Sequence, residues 1–222
     1  QLSTTIDHYE GATKTTLSFQ VTKRLSASFR YSSIYGLVPG PGRPPYSTYY
    51  DRSFDLSFRL VNEGQYMPAV NIGLQDLVGT GLFGGEYIVA TKSIGKRLRV
   101  TGGVGWGRLG SQGAFGSTRT RPTSLLGEGG VPTYDRWFRG EVAGFAGLSY
   151  QLTDRMNVSV EYSSDGYDRE VLDGITRHET PWNFGVDYRV SDALGLGVYW
   201  LHGTEIGFNV TLALNARKPA VN

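Results

Sequence analysis

Alternation with a period of two runs through most of this chain and limits its fold more than any other feature. Leu17, Phe19 and Val21 fall on one side of a segment whose other side carries Thr16, Ser18 and Gln20. Leu25, Ala27, Phe29 and Tyr31 alternate in the same way with Ser26, Ser28 and Arg30, and Phe54, Leu56, Phe58 and Leu60 with Ser53, Asp55, Ser57 and Arg59. The rhythm returns over residues 156–162, 182–190, 194–200 and 206–214. Such a period belongs to strands with one apolar and one polar face. No run repeats at helical spacing, so the chain reads as all-β, with about twelve strands. They are expected near 2–9, 13–22, 25–35, 51–61, 68–78, 82–92, 97–108, 138–152, 155–164, 178–190, 194–202 and 205–215.

Composition agrees. The chain has 31 glycines in 222 residues, roughly twice ordinary usage, which argues against a helical bundle. The absence of a three-residue glycine period excludes collagen. Aromatic residues make up 13 %, too many for a disordered chain. No cysteine is present, so there is no disulfide framework and no thiolate chemistry. A net charge of +2 does not imply a nucleic-acid partner. No stretch approaches the ~20 apolar residues of a membrane helix, whereas a membrane barrel hides its apolar face in alternation. Gln1 opens no signal segment, and any such segment is expected to have been removed.

Tight turns recur at Thr22-Lys23-Arg24, Gly95-Lys96-Arg97, Thr153-Asp154-Arg155 and Ser191-Asp192-Ala193, each between alternating strands. These read as hairpins. The opposite connections, 36–50, 110–136 and 165–177, are long and irregular. Short turns at one end and long loops at the other mark an outer-membrane barrel, with the long loops on the cell surface. An even strand count puts both chain ends on the short-turn side. The expected fold is one transmembrane antiparallel up-and-down β-barrel spanning residues 1–222.

The faces sharpen this. Phe54, Leu56, Phe58, Val158, Val160, Phe184, Val186, Phe208 and Val210 share the apolar face. The opposite face gathers Lys14, Arg30, Asp55, Arg59, Glu86, Lys92, Arg97, Arg99, Arg139, Glu141, Glu161, Asp187 and Arg189, and these are the residues expected to line the lumen. A soluble lipocalin-type barrel reverses the arrangement. A polar interior and an apolar exterior are what lipid requires, and outer-membrane lipid is the partner this implies. Aromatics at strand ends (Tyr31, Tyr87, Trp106, Tyr150, Tyr162, Trp182, Tyr188 and Trp200) are expected to form interfacial girdles. Basic lumen positions outnumber acidic ones, which weakly favours an anionic, hydrophilic polymer; ion-pair ladders that stiffen the barrel are the alternative. Arg119, Arg121 and Arg136 of loop 110–136 either constrict the lumen or face outward.

Other motifs carry less. Gly79-Thr-Gly81-Leu-Phe-Gly84 and Gly105-Trp-Gly107-Arg-Leu-Gly110 match the dinucleotide fingerprint, but no helix follows to receive a pyrophosphate. The carboxylates of Asp165, Asp168, Glu170 and Asp173 lack EF-hand spacing and read as a solvated acidic loop. His178 and His202, with Ser163 and Ser164 nearby, allow a surface hydrolase, but no nucleophile elbow supports one. No catalytic residue, metal or cofactor is therefore assigned.

Several segments carry a resemblance. Ser28-Phe-Arg-Tyr-Ser-Ser-Ile34, the run from Tyr50 to Leu60, Tyr66-Met-Pro-Ala-Val-Asn-Ile-Gly-Leu-Gln-Asp76, the run from Gly79 to Lys92, and Gly103-Val-Gly-Trp-Gly-Arg-Leu-Gly110 resemble YjbH-like exopolysaccharide and capsule outer-membrane proteins. The similarity is specific over residues 28–110 and one of pattern beyond. It implies a non-enzymatic barrel in the Gram-negative outer membrane that serves polysaccharide secretion, as conduit or scaffold, alongside other export proteins. A general porin or structural barrel is the alternative, and a surface lipid or polysaccharide hydrolase comes third. Members of that family are longer, so this chain corresponds to one barrel. The segment Asn215–Asn222 lacks the terminal aromatic of barrel-insertion signals. The chain is then either a piece of a longer one or inserts by another signal.

Overall fold

A computed structural model describes residues 2–9, 11–37, 47–122 and 130–214. The expected end segment Asn215–Asn222 and parts of loops 36–50 and 110–136 lie outside these residues. Fourteen strands follow in order: β1 Leu2–Tyr9, β2 Ala12–Gln20, β3 Leu25–Tyr35, β4 Thr48–Val61, β5 Ala69–Gly79, β6 Gly85–Ile94, β7 Leu98–Gly107, β8 Ala114–Ser117, β9 Val131–Pro132, β10 Glu141–Gln151, β11 Met156–Tyr162, β12 Trp182–Arg189, β13 Leu194–Leu201 and β14 Glu205–Leu214. A single turn of 3₁₀-helix, Arg108–Gly110, follows β7, and one short helix, α1 (Asp168–Leu172), precedes β12.

Twelve of these strands form a closed antiparallel ring. Each long strand pairs with its neighbour in sequence, β7 pairs with β10, and β1 closes onto β14 from Leu2↔Leu214 to His8↔Phe208. Closure leaves no open edge in the ring, which hydrocarbon demands because an unpaired amide there has no water to bond. The twelve strands expected from alternation are the twelve of the ring.

The short turns share a construction. Thr22 Oγ1 accepts from the amides of Arg24 (3.2 Å) and Leu25 (3.0 Å). Thr153 does the same for Arg155 and Met156, and Ser191 for Ala193 and Leu194. A hydroxyl at the first turn position thus satisfies two amides that the ladder has released. The fourth turn instead uses Gly95 at φ +65°.

The apolar side chains face out. Phe184, Phe208 and Ile206 are 47 %, 54 % and 61 % exposed, values that water would oppose and lipid would not. Phe29 packs on Phe54 at 5.0 Å and Phe184 on Trp200 at 5.6 Å along this surface. Polar side chains pair across strands inside, as in Thr5–Thr211, Thr91–Thr101 and Ser149–Asn157. The small buried apolar cluster, Ala12, Ile34, Leu37, Tyr49 and Phe83, sits at the long-loop end rather than mid-barrel.

Two short strands fall outside the ring. Strand β8 pairs with β10 beyond the point where β11 ends, with Glu141↔Ser117 and Val142↔Gly116. Strand β9 extends β5 through Val78↔Pro132. The described part of loop 110–136 therefore lies along the outside of the rim, and it does not enter the lumen as a constriction.

Candidate functional site

The lumen is the candidate site, and its two ends differ. At the short-turn end a cavity of about 480 Å³ opens, lined by Arg97, Arg99, Arg155 and Arg189 together with Asp154 and Asp187. Asn157 bridges from β11 to Asp187 at 3.5 Å. Small hydroxyl and amide side chains (Ser149, Asn209, Thr211) complete the wall, leaving room between the charged groups.

At the long-loop end, side chains from two loops fill the mouth. Phe83, carried between β5 and β6, is 2 % exposed and sits among three cations: Lys14 Nζ at 4.9 Å, Arg108 at 5.1 Å and Arg30 at 5.5 Å from its ring centre. Arg30 also pairs with Asp55 at 3.0 Å. Arg108, just after β7, donates from Nε to Asp165 and from Nη1 to Glu170 at 3.1 Å, with Nη2 in ion-pair contact with Glu170 at 2.8 Å, and its guanidinium lies over Tyr167 at 4.9 Å. Tyr167 packs in turn on His202 at 4.8 Å, and Ile175 reaches the apolar cluster of β2 and β3. Loop 163–181 thus spans the lumen from β11 to the opposite wall.

The charges at this plug tune each other. Burial disfavours a charged Arg108, but Asp165 and Glu170 outweigh it and hold the guanidinium charged. Burial alone would raise the Glu170 carboxyl; Arg108 reverses this and leaves it below the usual value. The Tyr167 hydroxyl is pushed up by burial. Of the carboxylates expected to be solvated, Asp165 and Glu170 are buried, Glu170 only 5 % exposed, while Asp168 does face solvent and Asp173 is half-buried.

Of the expected lumen residues, Lys14, Arg30, Asp55, Arg59, Glu141, Glu161, Asp187 and Arg189 keep the inward register, and Arg97 and Arg99 line the wide cavity. Three lie elsewhere. Glu86 pairs with Leu74 and Trp106 in the outward register, yet it is 1 % exposed because Arg121 covers it through two hydrogen bonds (2.7 and 3.2 Å). Lys92 shares the register of Ile88 and Ile94 and bonds Glu63 at 3.2 Å at the short-turn rim. Arg139 precedes β10 in the outer loop, where its carbonyl accepts from Arg121. The inward set on β6 is Tyr87 and Val89, so Tyr87 is not part of a girdle. For Glu86 and Lys92 the charged side chain sits at a rim, beyond the apolar band, where outward charge meets loop or water.

His178 and His202 do meet, with rings 5.9 Å apart. The two serines are occupied with the loop: Ser164 donates to the Leu109 carbonyl at 2.6 Å, and Ser163 accepts from the Asp165 amide at 3.2 Å. Sequence reasoning passed over Phe83 and Arg108. Their only signal was position, a bulky ring and a cation flanked by glycine where strands β6 and β7 reach the loop end.

A closed twelve-stranded barrel with a polar lumen and an apolar outer face is the architecture of outer-membrane porins. The KdgM porin in complex with disordered oligogalacturonate shares it, with a TM-score of 0.53 at 8 % identity over 96 % of this chain and 99 % of that one. A second KdgM porin structure gives 0.51, also at 8 % identity, over the same shares. The particular family comes from sequence: residues 1–222 match the family described as "Exopolysaccharide biosynthesis protein YbjH", and the chain belongs to this YjbH family. The "Uncharacterized lipoprotein YjbH" of Escherichia coli (strain K12) is 33 % identical over 177 residues, 76 % of this chain. The match spans only 25 % of that relative's length.

Proposed function

We propose that this barrel is a non-enzymatic outer-membrane conduit for exopolysaccharide, working with other export proteins. The observation that carries the reading is the hydrophilic cavity of about 480 Å³ at the short-turn end, charged with both signs and continuous with the lumen wall. A polymer covered in hydroxyls needs such a surface, offering donors and acceptors without an apolar trap. Membership of an exopolysaccharide family supports the same reading, as does a fold shared with a porin seen with an acidic oligosaccharide. The short turns would face the periplasm, so polymer enters at the wide cavity and meets the plug last. The packed plug favours a second reading, a scaffold that conducts nothing.

The test is polysaccharide release from a deletion strain complemented with the parent chain or with Arg97→Glu, Arg99→Glu and Arg189→Glu combined. Release should fall in the deletion strain and in the reversed-charge strain. Normal release from the reversed-charge strain points to the scaffold, and normal release from the deletion strain removes both readings.

A further inference from the structure

The inner wall carries a second cavity that differs from the rest of the lumen. It measures about 260 Å³ and lies on β5, β6, β10 and β11, roofed by Leu109 and by Ser163 and Ser164 of the plug loop. Two aromatic rings, Tyr87 and Phe145, line it, with Gln75 and Glu161 supplying polar groups.

Both rings lie flat against the wall because glycine stands beneath them. A Cβ on Gly73, the cross-strand partner of Tyr87, would fall 2.1 Å from the Tyr87 ring. A Cβ on Gly103, the partner of Phe145, would fall 2.5 Å from the Phe145 ring. Neither glycine has positive φ, so space for the ring is what each provides. Rings laid tangent to a wall turn their faces to the cavity. Inward positions are mostly Ser, Thr, Asn, Gly and charged residues; Tyr199 lies singly over Gly207 on β13, whereas Tyr87 and Phe145 set two ring faces at one spot and leave apolar surface in a polar lumen. Apolar faces flanked by a few convergent polar groups are the ordinary build of a small-molecule site.

We infer that this cavity is a sugar subsite that takes a neutral pyranose unit. The inference rests on the conduit reading and names what the wall recognises. The C–H face of a pyranose covers Tyr87 and Phe145, while its equatorial hydroxyls donate to Glu161 and exchange hydrogen bonds with Gln75. The volume lies a little under the ~300 Å³ at which drug-sized sites begin, which suits one sugar unit and not an extended segment. The Glu161 carboxylate repels a uronate at the same spot, so the subsite discriminates by charge.

Saturation-transfer NMR on the full chain in detergent tests this, with cellotetraose and tetragalacturonate as probes. Saturation should reach the ring C–H protons of cellotetraose and leave tetragalacturonate weakly labelled. Tyr87→Leu combined with Phe145→Leu should weaken cellotetraose binding about tenfold or more, ~1.4 kcal/mol or more. Gly73→Ala keeps both rings but lifts Tyr87 off the wall, and it should weaken binding too. Glu161→Gln should admit tetragalacturonate. Unlabelled cellotetraose, or equal binding by the Leu double variant with an unchanged circular dichroism spectrum, overturns the subsite. Failure here while the deletion strain still loses release removes the subsite and leaves the conduit. Binding that persists where release proves independent of the barrel supports the subsite by itself.

Discussion

Arg108 shows how much a single side chain can organise in a barrel mouth. Its guanidinium joins two loops and two rings, and Asp165, Glu170 and Phe83 are buried around it. Breaking one buried pair strands the other charge, which costs about 3–5 kcal/mol. Glu170→Gln should therefore loosen loop 163–181 by about 3 kcal/mol at neutral pH, read as faster proteolysis near α1 with the ring of strands intact. The pH dependence has a definite sign. A carboxyl held below its unfolded value contributes stability that is complete above that value and lost as pH falls through the folded one. Glu170 is such a group, so the parent plug should stay protease-resistant through mildly acidic pH and loosen only below the ordinary glutamate range, ~4.3. Asp168, raised mainly by burial, acts in the opposite direction, gaining as pH falls. Acid loosening that survives in the Gln variant would assign it to another group. At this scale the sequence was least legible. On β6 the run Tyr87-Ile88-Val89-Ala90 is apolar on both parities, so the charges of Glu86 and Lys92 point from sequence to an inward face that neither residue occupies. Only the register settles it.

The long strands were the easiest elements to read, because lipid outside and polar lumen inside impose one pattern on every crossing. Their ends shift where the pattern meets loop chemistry; β12, expected from residue 178, begins at Trp182, and β6, expected from 82, begins at Gly85. Strands β8 and β9 and helix α1 were not legible at all. Each is too short for a period and exists because a partner is present: β8 forms on the edge of β10 that β11 leaves free. The hydroxyl turns were legible as hairpins, though not in mechanism. Replacing Thr22 and Thr153 by Val removes one acceptor, shared by two amides, at each turn, against about 1 kcal/mol for a typical net hydrogen bond. The double variant should lose about 2 kcal/mol or somewhat more in urea titration of folding into bilayers. Serine at the same two positions should restore most of it. Loss unchanged by serine would show that the methyl, not the hydroxyl, matters there.

For the molecule as a whole, the outward apolar band and the asymmetry of the two ends each make a claim about the membrane. Val186 lies mid-strand on the outer face, and arginine there should cost about 2–4 kcal/mol of folding in a bilayer. Arginine at inward Ser159 should cost less, since the lumen supplies water and carboxylates. Equal costs would mean that the outer face is not against lipid. Orientation follows from the loops. Ser117 lies exposed in β8 on the outer rim at the long-loop end, and Asp154 lies in a short turn at the opposite end. With the long loops at the cell surface, a cysteine at 117 reacts with an impermeant maleimide on intact cells, and one at 154 reacts only after the outer membrane is opened. The reverse pattern would turn the barrel over and place the plug, not the wide cavity, at the periplasmic entrance. Because the described part of loop 110–136 runs outside the rim, protection of residue 117 cannot come from burial in the lumen, and the pair of labels reports orientation directly.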